Sequence, residues 1–292
     1  MFNTLVIKMS NMNIDNLEIK TLKVKYGKMS YYSHKAIKST TVLFIHGSGA
    51  GKEWFQEHFL QRPIKEYSWL VPSLFGYDKK EKPNILDAYT MEQFAQDLYE
   101  LLLQEQVLDL IIMGHSMGGK IGVLLSEIIS SQQDVHPIKV RGLYNCEGPL
   151  TLSELTVEDI EIANSSHEAY EMEYNKQLAE LEAKNDEASK RGVQSYMLLG
   201  SFLIWAVFRN FKLLLEKETL NQRMRATQKK LGHANYYIVG DQNYNKLPTQ
   251  KFYENHEILI IPNAGHIMMQ DNPQGFWDRC IQSFNQLSSK IE

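Results

Sequence analysis

The sequence predicts an α/β domain: a mostly parallel sheet with helices on both faces, interrupted by an all-helical insertion. Three observations predict it. Short apolar, β-rich runs alternate with amphipathic stretches along most of the 292 residues, the pattern of a parallel sheet covered by helices. One such run, Leu110 to Met113, leads straight into Gly114-His115-Ser116-Met117-Gly118-Gly119, and an apolar helical stretch follows. The region from about Pro149 to Leu231 holds no clear strand, and because structureless loops of about eighty residues are rare in compact domains it reads as a helical subdomain. The chain therefore divides into a core of residues 1–148 and 232–292 and an insertion of residues 149–231.

Taken in order, Leu17 to Tyr26 and Lys28 to Ser33 form a first hairpin. Thr41 to Ile45 is a buried strand, and His46-Gly47-Ser48-Gly49-Ala50-Gly51 follows it as a Gly-rich loop. Trp69 to Val71 is a short strand stopped by Pro72. Thr90 caps a helix: Thr90 and Gln93 have capping-box spacing, and Phe94, Leu98, Leu101 and Leu102 recur at helical intervals. Ile121 to Ile129 is helical, and Val140 to Asn145 is the sixth strand. In the insertion, Glu168 to Lys190 is a polar helix and Tyr196 to Leu215 its apolar neighbour. Ala234 to Val239 and Glu257 to Ile261 are the last two strands, and a final helix covers Pro273 to Leu287.

Composition excludes several classes. Hydrophobic residues make up 43% and charged residues 23%, enough for a core and unlike a disordered chain. A formal net charge of −4 gives no reason to expect a nucleic-acid partner. Two cysteines, Cys146 and Cys280, do not make a disulfide framework, so a reducing, cytoplasmic setting is expected. Met1 to Ser10 lack the charged n-region and continuous apolar h-region of a signal peptide, and Met9 or Met12 are alternative starts. The longest apolar run, Met197 to Phe208, has twelve residues. A bilayer span needs about 20, so no stable membrane insertion is expected and the run reads as a buried or lid helix. With no Cys pair and no His-x-x-x-His, neither metal nor cofactor is implied.

The chemistry concentrates in Gly114-His115-Ser116-Met117-Gly118. A serine on a tight strand-to-helix turn needs small residues two before and two after, because neighbouring backbone passes close by. The helix that starts there aims its N-terminal dipole and free N–H groups at the serine. His266, in Asn263-Ala264-Gly265-His266 after the last strand, is the candidate general base. His115 and His46 read as braces for their loops, while His34, His58, His136, His167, His233 and His256 lack a motif setting.

These motifs resemble those of the α/β-hydrolase superfamily, in the branch of esterases, lipases, carbon–carbon bond hydrolases and haloalkane dehalogenases. Gly114 to Gly119 is similar to its nucleophile elbow, His46 to Gly51 to its oxyanion loop, and Asn263 to Pro273 to the segment that delivers its histidine. The motifs stand in the family's order, and the likeness covers the chain outside the insertion. The resemblance implies a hydrolase with a helical cap. It implies Ser116 as nucleophile, where dehalogenases and epoxide hydrolases carry aspartate, and so acyl chemistry. It implies an oxyanion hole from the Met117 N–H and that of Ser48, with Gly49 next. Many members carry the triad acid at the position occupied here by Asn243, and an amide cannot offset an imidazolium's charge. Two carboxylates remain: Glu147, after the sixth strand, which is preferred, and Asp241.

The insertion's apolar stretch offers Tyr196, Met197, Leu198, Leu199, Phe202, Leu203, Trp205 and Phe208. Helical periodicity sends many of these into the core, and the rest are expected to line an acyl or aromatic pocket. The expected substrate is a small to medium hydrophobic ester or thioester. Carbon–carbon hydrolysis and a receptor or scaffold role with little turnover are the alternatives, and a homodimer is left open.

Overall fold

The computed structural model describes residues 18–36, 40–52, 66–78, 82–184, 197–217, 220–245 and 256–289. The expectations for Met1 to Ser10, Leu17, His58, the end of the polar helix beyond Lys184, and Tyr196 fall outside them.

Alternation within the strands sets the layers. In β3 (Thr41–Ile45), Leu43 and Ile45 join one apolar cluster, while Val42 and Phe44 join another on the opposite face. The same split recurs in β5 (Asp109–His115) and β7 (Ala234–Gly240). Two-faced burial of this kind requires helices on both sides. The first cluster is closed by α1 (Met91–Gln104), α2 (Met117–Ser131) and part of the insertion. The second is closed by α9 (Pro273–Ser289) through Phe276, Trp277 and Phe284.

The remaining strands are β1 (Glu18–Val24), β2 (Gly27–His34), β4 (Ser68–Pro72), β6 (Lys139–Cys146) and β8 (Glu257–Ile261). The eight-stranded sheet runs β1-β2-β4-β3-β5-β6-β7-β8. β2 pairs antiparallel with β1 and β4, and all other pairs are parallel. Leu110 pairs with Val140 but Ile111 with Gly142, so Arg141 is an extra residue in β6. A one-residue slip flips every later side chain to the other face. Here it puts Leu143 in the same cluster as Val140.

Thr90 caps α1, its side chain accepting the Gln93 N–H at 3.1 Å. The reciprocal half of the expected capping box is absent, because the Gln93 side chain donates instead to Asp97 at 2.7 Å. Between β6 and β7 the described residues form α3 (Val157–Asn164), α4 (His167–Lys184), α5 (Ser201–Lys217) and α6 (Leu220–Leu231), with no strand among them. The predicted continuous apolar stretch is broken at Gly200, whose φ of +71° is a left-handed conformation that glycine adopts without strain. α5 begins one residue later. Two short helices, α7 (Asp241–Tyr244) and α8 (Met268–Asp271), follow β7 and β8. No helix among the described residues is long and apolar enough to cross a membrane. Cys146 and Cys280 are free and buried.

Candidate active site

β5 ends at His115, Ser116 turns the chain, and α2 begins at Met117. Ser116 holds φ 53° and ψ −120°, a sparsely populated conformation that costs about 1–3 kcal/mol in a non-glycine residue. The surroundings enforce it. A Cβ on Gly114 would lie 2.1 Å from the Gly118 carbonyl oxygen, and one on Gly118 would lie 2.2 Å from that of Ile45. Only glycine lets the two arms of the turn and β3 pass. The Ser116 N–H donates to the Cys146 carbonyl at 2.9 Å, tying the turn to the end of β6.

Glu147 follows at once and is itself left-handed, with φ 48°. The Asn145 side chain locks this corner, accepting the Gly148 N–H at 2.7 Å and donating to the Gly148 carbonyl at 2.9 Å. The Glu147 carboxylate is turned toward the end of β7. There Oε1 accepts the Gly240 N–H at 2.9 Å, and Oε2 accepts Asn243 Nδ2 at 3.0 Å and His266 Nδ1 at 2.9 Å. A buried carboxylate needs such donors in place of the water it has lost. Asn243, at the position where the resemblance leads one to look for a carboxylate, therefore acts as a donor to Glu147.

With Nδ1–H directed at Glu147, the His266 ring leaves Nε2 as its free basic atom. The loop carrying it is held from several sides. His115 Nε2–H donates to the His266 carbonyl at 2.9 Å, and the Asp271 carboxylate accepts the Gly265 N–H at 2.8 Å. Asp241, the alternative acid, bonds the backbone instead, accepting the Asn263 and Ala264 N–H groups at 2.8 and 3.0 Å. These two bonds hold its carboxyl below the usual aspartate range. A folded-state pKa below the unfolded one gives support that is complete above the unfolded value and is lost as pH falls through the folded value. Hydrogen-exchange protection of the Asn263 and Ala264 amides is thus expected to weaken below about pH 3.9. In Asp241→Asn it is expected to be weak at every pH. Equal protection in both proteins would contradict this brace.

The loop after β3 runs against the elbow, and a Cβ on Gly47 would sit 3.2 Å from Ser116 Cβ. His46 braces this loop as expected. Its Nδ1–H donates to the Gly47 carbonyl at 2.8 Å, and its Nε2 accepts the Leu74 N–H at 3.0 Å. Ser48 faces the cavity, whereas Gly49 is exposed with open space around it.

Ser48, Ser116, Glu147 and His266 line one cavity of about 540 Å³. Its other walls correct the expected pocket. Of the predicted apolar residues that are described, only Phe208 reaches it, joined by Phe211 and by Tyr237 of β7. Leu199 and Leu203 are buried in the core. Phe202 packs on Tyr89 and His167, and Trp205 donates its indole N–H to Ser165 at 3.0 Å. Met197 is exposed. Ser153, Glu154, Thr156 and Asp159 form a polar wall that the sequence did not suggest. The Phe208 and Phe211 spacing, three apart on one helix, was the available signal for the aromatic side.

A family model described as the alpha/beta hydrolase family matches residues 42–279, and the chain belongs to that family. Among curated proteins, Lipase 1 of Psychrobacter immobilis is 28% identical over 166 residues, which are 56% of this chain and 51% of the lipase. The chain thus spans about half the length of this relative. Among solved structures, an N-acyl homoserine lactonase complexed with N-hexanoyl homoserine superposes with a TM-score of 0.67 at 18% identity, covering 94% of this chain and 98% of that one. A thermophilic esterase from Thermogutta terrifontis gives 0.65 at 15%, covering 92% and 99%. At these identities the structural likeness is one of fold.

Proposed function

We propose that this protein is a serine hydrolase that cleaves a carboxylic ester or thioester through an acyl-enzyme. The observation that carries the reading is the 2.9 Å bond from His266 Nδ1 to Glu147, made at the wall of the cavity that Ser116 also lines. The partial similarity to a lipase supports it. In the proposed mechanism Ser116 Oγ attacks the acyl carbon and His266 Nε2 takes its proton. The oxyanion is held by the N–H groups of Met117 and Ser48, and the leaving group departs with the proton from His266. Water, activated by the same nitrogen, then releases the acid. Glu147 keeps the imidazole oriented and offsets its charge while it is protonated.

The cavity volume of about 540 Å³ suits a small to medium substrate. Phe208, Phe211 and Tyr237 offer it an apolar side. A chain-length series of p-nitrophenyl and thioester substrates tests the reading: turnover is expected, with a maximum at short to medium acyl groups. Phe208→Ala should shift that maximum to longer chains. Phe202→Ala should instead lower stability by about 1–3 kcal/mol and leave the maximum in place. A shift from Phe202→Ala and none from Phe208→Ala would contradict the assigned wall.

A further inference from the structure

The charges around the cavity are unevenly employed. Glu154 and Asp159 on the polar wall both have structural tasks. Glu154 Oε2 accepts the Leu150 and Thr151 N–H groups, each at 2.8 Å, and Thr151 Oγ1 at 3.0 Å. Asp159 Oδ2 accepts the Thr156 N–H at 2.9 Å, completing a capping box. Their presence needs no ligand to explain it.

Lys120 is different. It lies on α2 four residues beyond Ser116, about 6 Å along the helix axis, and is fully buried. Among the described residues its Nζ has no hydrogen-bond partner. It rests against the ring of Phe211, the aromatic residue that separates it from the cavity. Burial pulls its pKa well below that of an ordinary lysine, and Glu154 and Asp159 pull it partly back. A buried amine with no acceptor is costly, and a methionine would fill the same space without that cost. The position makes physical sense when the missing acceptor arrives with a ligand.

We infer that Lys120 is an anion-binding position behind the cavity, and that the substrate carries a carboxylate a short carbon chain away from the reacting carbonyl. The inference rests on the proposed ester chemistry of the site. The Phe211 ring must turn aside for the carboxylate to reach Nζ. A single negative charge fits better than a phosphate dianion, since Glu147, Glu154 and Asp159 already line the cavity and, among the described residues, no lysine or arginine does.

The test compares monoethyl adipate with ethyl hexanoate, esters of equal acyl length, by titrating released acid in wild type and Lys120→Met. Wild type is expected to favour the carboxylate-bearing ester in kcat/KM by about tenfold or more, the range of a charge-assisted hydrogen bond. In Lys120→Met that ratio should fall by about tenfold, chiefly through KM. A wild-type ratio of one or less overturns the inference without any variant, as does an unchanged ratio in a folded Lys120→Met. Hydrolysis of neither ester by wild type overturns the ester reading itself, and this inference with it.

Discussion

Ser116→Ala is expected to lose ester turnover by about 10⁶-fold in kcat, the loss seen when a triad nucleophile is removed, and to lose all labelling by a fluorophosphonate probe. The fold should survive. Ser116 sits at a φ of 53° because Gly114, Gly118 and the β3 backbone leave no alternative, and alanine meets the same constraint with one atom fewer. Its N–H still donates to Cys146. Circular dichroism and thermal unfolding like wild type, together with absent labelling, are the expected pair of results. Retained labelling in a folded variant would mean that another nucleophile reacts.

The second large effect is expected at Glu147. Glu147→Gln keeps the shape but removes the charge facing protonated His266, and its amide nitrogen opposes a donor in either orientation, Gly240 at one oxygen's place or Asn243 and His266 at the other's. Turnover should fall by about 10²–10⁴ with substrate binding little changed, because the charge acts in the transition state. Asp241→Asn should cost far less, its carboxylate being engaged by Asn263 and Ala264. Adding Asn243→Asp to Glu147→Gln should recover part of the loss, since Asn243 approaches the same carboxylate oxygen as His266 does. A crippling Asp241→Asn beside a mild Glu147→Gln would move the acid to the end of β7.

The strands, the elbow and the histidine loop were legible because each depends on local pattern. Alternation in Thr41–Ile45 and the glycines around Ser116 are statements about neighbours in the chain. What was not legible depends on distant backbone. The extra residue at Arg141 resets the facing of β6, and nothing in the local sequence marks it. The choice between Glu147 and Asp241 turns on which carboxylate the loops after β6, β7 and β8 bring to His266, a matter of tertiary geometry. The apolar residues of the insertion could be counted but not oriented. Gly200 breaks the stretch, and packing against Tyr89 and His167 draws Phe202 away from the cavity that Phe208 and Phe211 face. Sequence alone gives a lysine in an apolar helix a solvated position, and only the packing of α2 shows Lys120 to be buried.

In the proposed mechanism Ser116 carries the acyl group between the two half-reactions. The most direct measurement is to mix enzyme with excess p-nitrophenyl butanoate, quench in acid within milliseconds, and map the added mass by peptide mass spectrometry. A burst of p-nitrophenol, up to one per enzyme molecule, and a butanoyl group on Ser116 are expected. Steady turnover with Ser116 unmodified and the acyl group on another residue would contradict it.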